Sequence, residues 1–175
     1  MRRSPFLLAL VPLALAAAGC ASSTVDSGPS QANPLDAEES AVIAGLKDLR
    51  VKSGASDLTL CKSLDVAAAA HADDMRDRSY LSETSPDGST ARSRDCQASY
   101  EPACGTTAGV AELVASGEDT GAAALQQWEN DAMTSPVLVD PSMRVVGVGR
   151  SIGETATVWS LDLATEPDAS CAGAM

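Results

Sequence analysis

The chain is poor in histidine, in basic residues and in long apolar runs. A single histidine, His71, serves 175 residues. A Cys/His zinc centre would have to be built around that one ring, and no Cys-x-x-Cys pair accompanies it. A Ser-His-Asp triad would need the same ring to leave an apolar helical stripe and meet a serine. Acidic residues outnumber basic ones by 24 to 12, for a formal net charge of −12. A polyanionic surface repels phosphate backbones, and no basic stripe offsets it, so nucleic acid is excluded as a partner. The apolar run from Phe6 to about Ala18 is too short for a bilayer span, which takes about 20 residues. The acids show no EF-hand spacing, and no internal repeat is visible.

What is present at the N-terminus is a targeting pattern. "MRRSPFLLALVPLALAAAGC" has a basic flank, an apolar core and small residues up to Gly19-Cys20, the layout of a secretory signal. Ala17-Ala18-Gly19-Cys20 resembles a bacterial lipobox, with alanine where leucine is more usual. The expectation is a lipoprotein signal peptide over 1–19 and a lipid on Cys20 that holds the protein to the cell membrane. A plain secretory signal is the alternative. Cleavage before Cys20 would remove Arg2 and Arg3 but no acid, leaving the mature chain more acidic still. Residues 20–37 are rich in Ser, Pro, Gly and Asp without apolar periodicity and read as a disordered tether. Its mean span would be roughly 20–25 Å. Residues 38–175 then make one domain of ordinary size.

Four further cysteines remain: Cys61, Cys96, Cys104 and Cys171. An even number in an exported domain favours two disulfides, with three connectivities open. Cys96 and Cys104 flank a short polar loop and are paired on that ground, which leaves Cys61 with Cys171. Free thiols are the alternative.

Periodicity places the elements. Val42, Ile43, Leu46 and Leu49 give a helix over about 38–52, ended by Ser53-Gly54. A second helix runs from near Leu60 to about Arg78, with Leu64, Ala67, Ala68, His71, Ala72 and Met75 on one stripe. His71 therefore points to the core. Residues 82–100 read as a long polar loop. "TAGVAELVAS" is a strand or the start of a helix. A helix follows over about 119–132, ended by Ser135-Pro136. The β-rich runs about 144–150 and 156–163 read as a hairpin.

In this order, the pieces "LTLCKSLDVAAAAHADDM", "YLS", "GVAEL", the helix with Trp128, "SP", and "VVGVG" with Trp159 resemble the CAP superfamily of cysteine-rich secretory, antigen 5 and pathogenesis-related proteins. The resemblance spans about 38–163 and implies an α+β fold. In it, an α-β-α sandwich carries a small antiparallel sheet with helices on both faces. Many relatives have a cleft in which two histidines and two acids can hold a divalent metal. The resemblance puts Ser82 at one histidine position, two residues after Tyr80, and Leu138 at the other, two after Pro136. Glu112 matches the first acid. Glu129 is the nearest candidate for the second. His71 matches a helix position that packs within the fold, not a cleft histidine.

The resemblance therefore implies a degenerate cleft with no catalytic residue, no cofactor and no metal. Ser82, Glu112, Trp128 and Glu129 are its candidate ligand-contacting residues. Glu112 has a bland alternative as a strand cap, and Trp128 and Trp159 as core residues. The functional expectation is a non-catalytic lipoprotein that binds or scaffolds a lipid-like or cell-envelope ligand. The competing expectation is a divalent-metal-dependent hydrolase with a rearranged acidic site drawing on Glu112, Glu129, Glu83 or Asp87.

Overall fold

The structure is a computed structural model and describes residues 34–171. The signal segment, Cys20 and most of the expected tether lie outside the described residues. The elements are α1 (Ala37–Ser53), β1 (Thr59–Leu60), α2 (Lys62–Arg78), α3 (Ala91–Gln97), α4 (Glu101–Cys104) and β2 (Val110–Ser116). After them come α5 (Gly121–Asn130), α6 (Ser135–Leu138), β3 (Val145–Ile152) and β4 (Thr157–Ala164). The strand order is β1-β3-β4-β2. The three long strands are antiparallel, and the two-residue β1 adds to β3 in parallel at the edge.

Local chemistry explains the ends of α1. Asp36 accepts from the amides of Glu38 and Glu39, and Glu39 reaches back to the amide of Asp36 at 2.9 Å, a reciprocal capping box. Gly54, at φ 75°, closes the helix in the left-handed conformation that a glycine adopts at least cost. The second helix starts two residues later than its periodicity suggests, because Leu60 pairs with Val146 in β1 and Cys61 becomes the N-cap. A two-residue strand leaves no alternation for sequence reading to find.

The sheet divides the interior into two unlike faces. Leu113, Ala115, Val146, Val148, Trp159, Leu161 and Leu163 point to one side and pack with Val42, Ile43, Leu46 and Leu125 from α1 and α5. On the other side β3 offers glycines. A Cβ on Gly147 would lie 2.3 Å from the Leu64 carbonyl carbon, and one on Gly149 would lie 2.2 Å from the Ala69 amide nitrogen. Helix α2 thus lies directly on the strand backbone, and its alanines allow the approach. All eight residues of β4 are buried, as expected for a strand covered on both faces.

The polar middle of the chain departs further from the sequence expectation. The polar stretch 82–100 is not all loop: residues 91–97 form α3, capped at Thr90, whose side chain and backbone exchange hydrogen bonds with Ser93. "ARSRDCQ" has no apolar period, and the helix buries Asp95 instead. "VAELVAS" resolves as a strand because it pairs along its whole length with β4. Both disulfides form, Cys61–Cys171 and Cys96–Cys104, so the free-thiol alternative falls. The first ties the C-terminal segment to the start of α2.

Arg50 is fully buried at the end of α1. It donates to the carbonyls of Ser56 (2.7 Å), Leu138 (2.8 Å), Asp140 (3.2 Å) and Met143 (3.2 Å), fastening the segment after α6 to the α1–β1 turn.

Candidate functional site

On the α2 face the sheet carries polar residues where the other face carries aliphatics. Glu112 of β2 stands opposite Asp162 of β4, and Ser160 lies two residues before Asp162. Helix α2 brings His71 over them, and α3 brings Arg94 and Asp95. His71, Asp95 and Ser160 have no exposure, Asp162 has 1% and Glu112 has 5%.

Arg94 organises the cluster. Its Nη2 donates to Glu112 Oε2 at 2.5 Å and to the Glu83 carbonyl at 2.7 Å. Its Nη1 donates to Ser85 Oγ at 3.0 Å and to the Ser89 carbonyl at 2.9 Å. Glu112 Oε1 accepts from the Ser160 hydroxyl at 3.1 Å. The His71 Nε2 is 3.0 Å from the Ser82 carbonyl and 3.6 Å from Glu112 Oε2. Burial and the positive field of Arg94 push His71 down to about 4, so at neutral pH the ring is uncharged and Nε2 carries the proton donated to Ser82. The contact with Glu112 is thus not an ion pair.

The carboxyl groups beneath Arg94 sit where burial favours their protonated forms. As carboxylates, Asp95 and Asp162 face no donor on either oxygen. Asp162 stands opposite Glu112 across the β2–β4 pair, and the charges of Asp95 and Glu112 both act on it. Buried carboxyl groups set close to one another favour protonation, because desolvation and like charge both disfavour the ionised form. Burial, and then the charges of Asp95 and Glu112, raise Asp162 well above the carboxylate range. Burial and the charge of Glu112 push Asp95 up to about 7. Burial also raises Glu112, against the pull of Arg94.

This donor set does not fit a divalent metal. Glu112 presents its oxygens to a guanidinium and a hydroxyl. Among the described residues, the only three potential ligands drawn close together are Cys61, Asp168 and Cys171, and both sulfurs belong to a disulfide.

The sequence-predicted cleft residues do not assemble. Ser82 is exposed and contributes its carbonyl, not its hydroxyl. Trp128 is buried in the α1/α5 core, across the sheet from Glu112, and donates to the Val114 carbonyl at 3.2 Å. Glu129 is exposed on α5, on that same far side. Leu138 is fully buried in the core. Glu83 lends only its carbonyl, and Asp87 is an exposed turn residue that accepts from the Ser89 amide. The residues missed by sequence reading are Arg94, Asp95 and Asp162. Asp162 alone carried a signal, an acid inside the run "VWSLDLA". One further string, Gly149-Arg150-Ser151-Ile152-Gly153, has the Gly-x-Ser-x-Gly spacing of a nucleophile elbow. Ser151 lies within β3, leads into a hairpin instead of a helix, and is held by Asp73 at 2.6 Å and by Arg76, with no histidine beside it.

Two open grooves flank the cluster. One of about 330 Å³ lies outside Arg94, lined by Ala67, Ala70, Ser85 and Arg94 among others. The other, of about 810 Å³, lies between the last turn of α2 and the β3–β4 hairpin, and its walls include Met75, Tyr80, Leu81, Ile152 and Val158. Leu81 and Ile152 are 50% and 65% exposed there.

The profile of the cysteine-rich secretory protein family matches residues 44–163. An extracellular protein with an SCP domain from Bacillus anthracis is 20% identical with a TM-score of 0.65, over 77% of this chain and 45% of that one. The chain thus spans less than half the length of the Bacillus protein. An outer surface protein from Borrelia burgdorferi is 17% identical with a TM-score of 0.65, covering 76% and 97%. A venom allergen-like protein from Schistosoma mansoni is 13% identical with a TM-score of 0.55, covering 77% and 92%. No curated protein matches. With the α-β-α layering and the family profile agreeing over most of the described residues, this chain belongs to the cysteine-rich secretory protein, or CAP, family.

Proposed function

We propose that this protein is a non-catalytic CAP domain, exported and held at a bacterial membrane by a lipid on Cys20, that binds an amphipathic, lipid-like ligand. The observation that carries this reading is the commitment of Glu112 to Arg94 and Ser160, with Ser82 and Leu138 where relatives can have histidines. A metal-assisted hydrolase needs several ligands and an open position for water, and the cluster offers neither. The 810 Å³ groove has the volume of a small-molecule site and mixes apolar walls with Arg76, Asp77 and Glu154, as an amphipathic ligand requires.

Native mass spectrometry of the exported chain tests this, with zinc, magnesium and calcium and separately with a lysophospholipid. The expected result is a lysophospholipid adduct that is lost on Ile152→Asp, and no metal adduct. A metal adduct abolished by Glu112→Ala would replace this reading with a metal-dependent hydrolase.

A further inference from the structure

We infer that Arg94 is the permanent cation of this cleft, taking by its guanidinium the place that a divalent ion takes in relatives, and that the same group latches the segment 82–90 over the buried acids. The inference rests on the Glu112 site alone and does not depend on what the larger groove binds.

The charge balance demands a cation. Three carboxyl groups, those of Asp95, Glu112 and Asp162, share one nearly dry volume with a neutral histidine. Burying even one unpaired carboxylate is expensive, so the site must hold protons, a cation or both. Protonation favoured by burial answers part of that need. Arg94, on the first turns of α3, answers the rest at 2.5 Å from Glu112. Its Nε is buried without a partner, so this side chain is held for its terminal nitrogens at the expense of the third.

The latch follows from the other three bonds of the same group. Glu83, Ser85 and Ser89 all accept from Arg94, so Nη1 grips the strap while Nη2 holds both the strap and the acid. Ser85, buried in an otherwise exposed turn, also donates its hydroxyl to the Tyr80 oxygen at 3.0 Å, while the Tyr80 proton goes to Asp74. His71 ties the start of the strap at Ser82. The terminal N–H donors of one guanidinium reach two carbonyls, a hydroxyl and Glu112 at once. The guanidinium thus explains why the strap is closed as well as why the acids are tolerated. The 330 Å³ groove reaches Arg94 from outside, so an added cation has a path to the acids once the side chain is shortened.

The test compares the wild-type chain with Arg94→Ala and Arg94→Lys, using native mass spectrometry with magnesium, calcium or zinc and thermal unfolding with and without each ion. Wild type should take up no ion. Arg94→Ala should take up one, and its midpoint should rise by roughly 5–11 °C at about 100 times Kd. Adding Glu112→Gln should abolish both effects. Arg94→Lys keeps a charge but cannot grip strap and acid together. It should remain free of metal, while amides 83–89 exchange with deuterium at least tenfold faster than in wild type. An Arg94→Ala chain that folds and stays metal-free at millimolar ion overturns the inference. So does one that folds neither with nor without ion, since an external cation then cannot substitute. So, too, does unchanged strap exchange in Arg94→Lys. Ion uptake by the wild type at Glu112 would instead defeat the non-catalytic reading as well, so the two failures are distinct.

Discussion

Replacing Asp95 with asparagine should change how stability depends on pH, and in a direction opposite to ordinary acid denaturation. Asp95 has no exposure and no ionic partner, and burial with the Glu112 charge raises it from 3.8 to about 7. The folded chain therefore binds a proton that the unfolded chain releases near pH 4. A raised folded-state value means stability that is present below pH 4 and is lost as pH rises toward 7. Between pH 5 and pH 8 the loss is about 3 kcal/mol, at 1.36 kcal/mol for each unit between pH 5 and the folded value. The asparagine side chain carries no such charge, so the advantage of wild type over Asp95→Asn should shrink by about 3 kcal/mol across that interval. His71, pushed down to about 4, acts the other way between pH 4 and 6.5, but it is present in both chains and cancels. Asp95 and Asp162 titrate as a pair, so the whole transition belongs to the cluster. Urea titrations at pH 5 and pH 8, followed by the fluorescence of Trp128 and Trp159, read the difference. Parallel stability curves for the two chains would refute the raised titration of Asp95.

Other outcomes follow from packing. Gly149→Ala places a methyl 2.2 Å from the α2 backbone and should cost about 3 kcal/mol or more in denaturant unfolding, since backbone must move. Gly105→Ala, whose nearest neighbour is 3.9 Å away, should change stability by less than about 0.5 kcal/mol in the same assay. Arg50→Met strands four carbonyls and should cost about 3 kcal/mol or more, against no change if those contacts are incidental. Replacing Cys61 and Cys171 with serine opens a bond of sequence separation 110 and should cost about 4.7 kcal/mol. The same change at Cys96 and Cys104, separation 8, should cost about 2.5 kcal/mol. Equal losses would contradict the loop-entropy account.

The sequence alone determined the order of the long elements and the type of all but β2, whose strand pairing with β4 settled it. Apolar spacing in α1 and α2 and the β-rich runs at about 144–150 and 156–163 are local signals, because each element must present one face or both to a core. Gly54 and Asp36 are local too, since a cap acts within one turn. Even the placement of His71 on the buried stripe follows from a period of 3.6. Tertiary structure decided the site. Glu112 and Asp162 meet because β2 and β4 pair antiparallel, and no local pattern states that register. Helix α3 exists without an apolar stripe because Thr90 caps it and its polar side chains find buried partners across the chain. Trp128 and Glu129 looked like neighbours of Glu112 in the family's order of motifs, yet a sheet separates them. A sequence fixes which face of its own element a residue occupies. Which residues share a volume depends on how the elements stack, and here that stacking set a guanidinium against three acids.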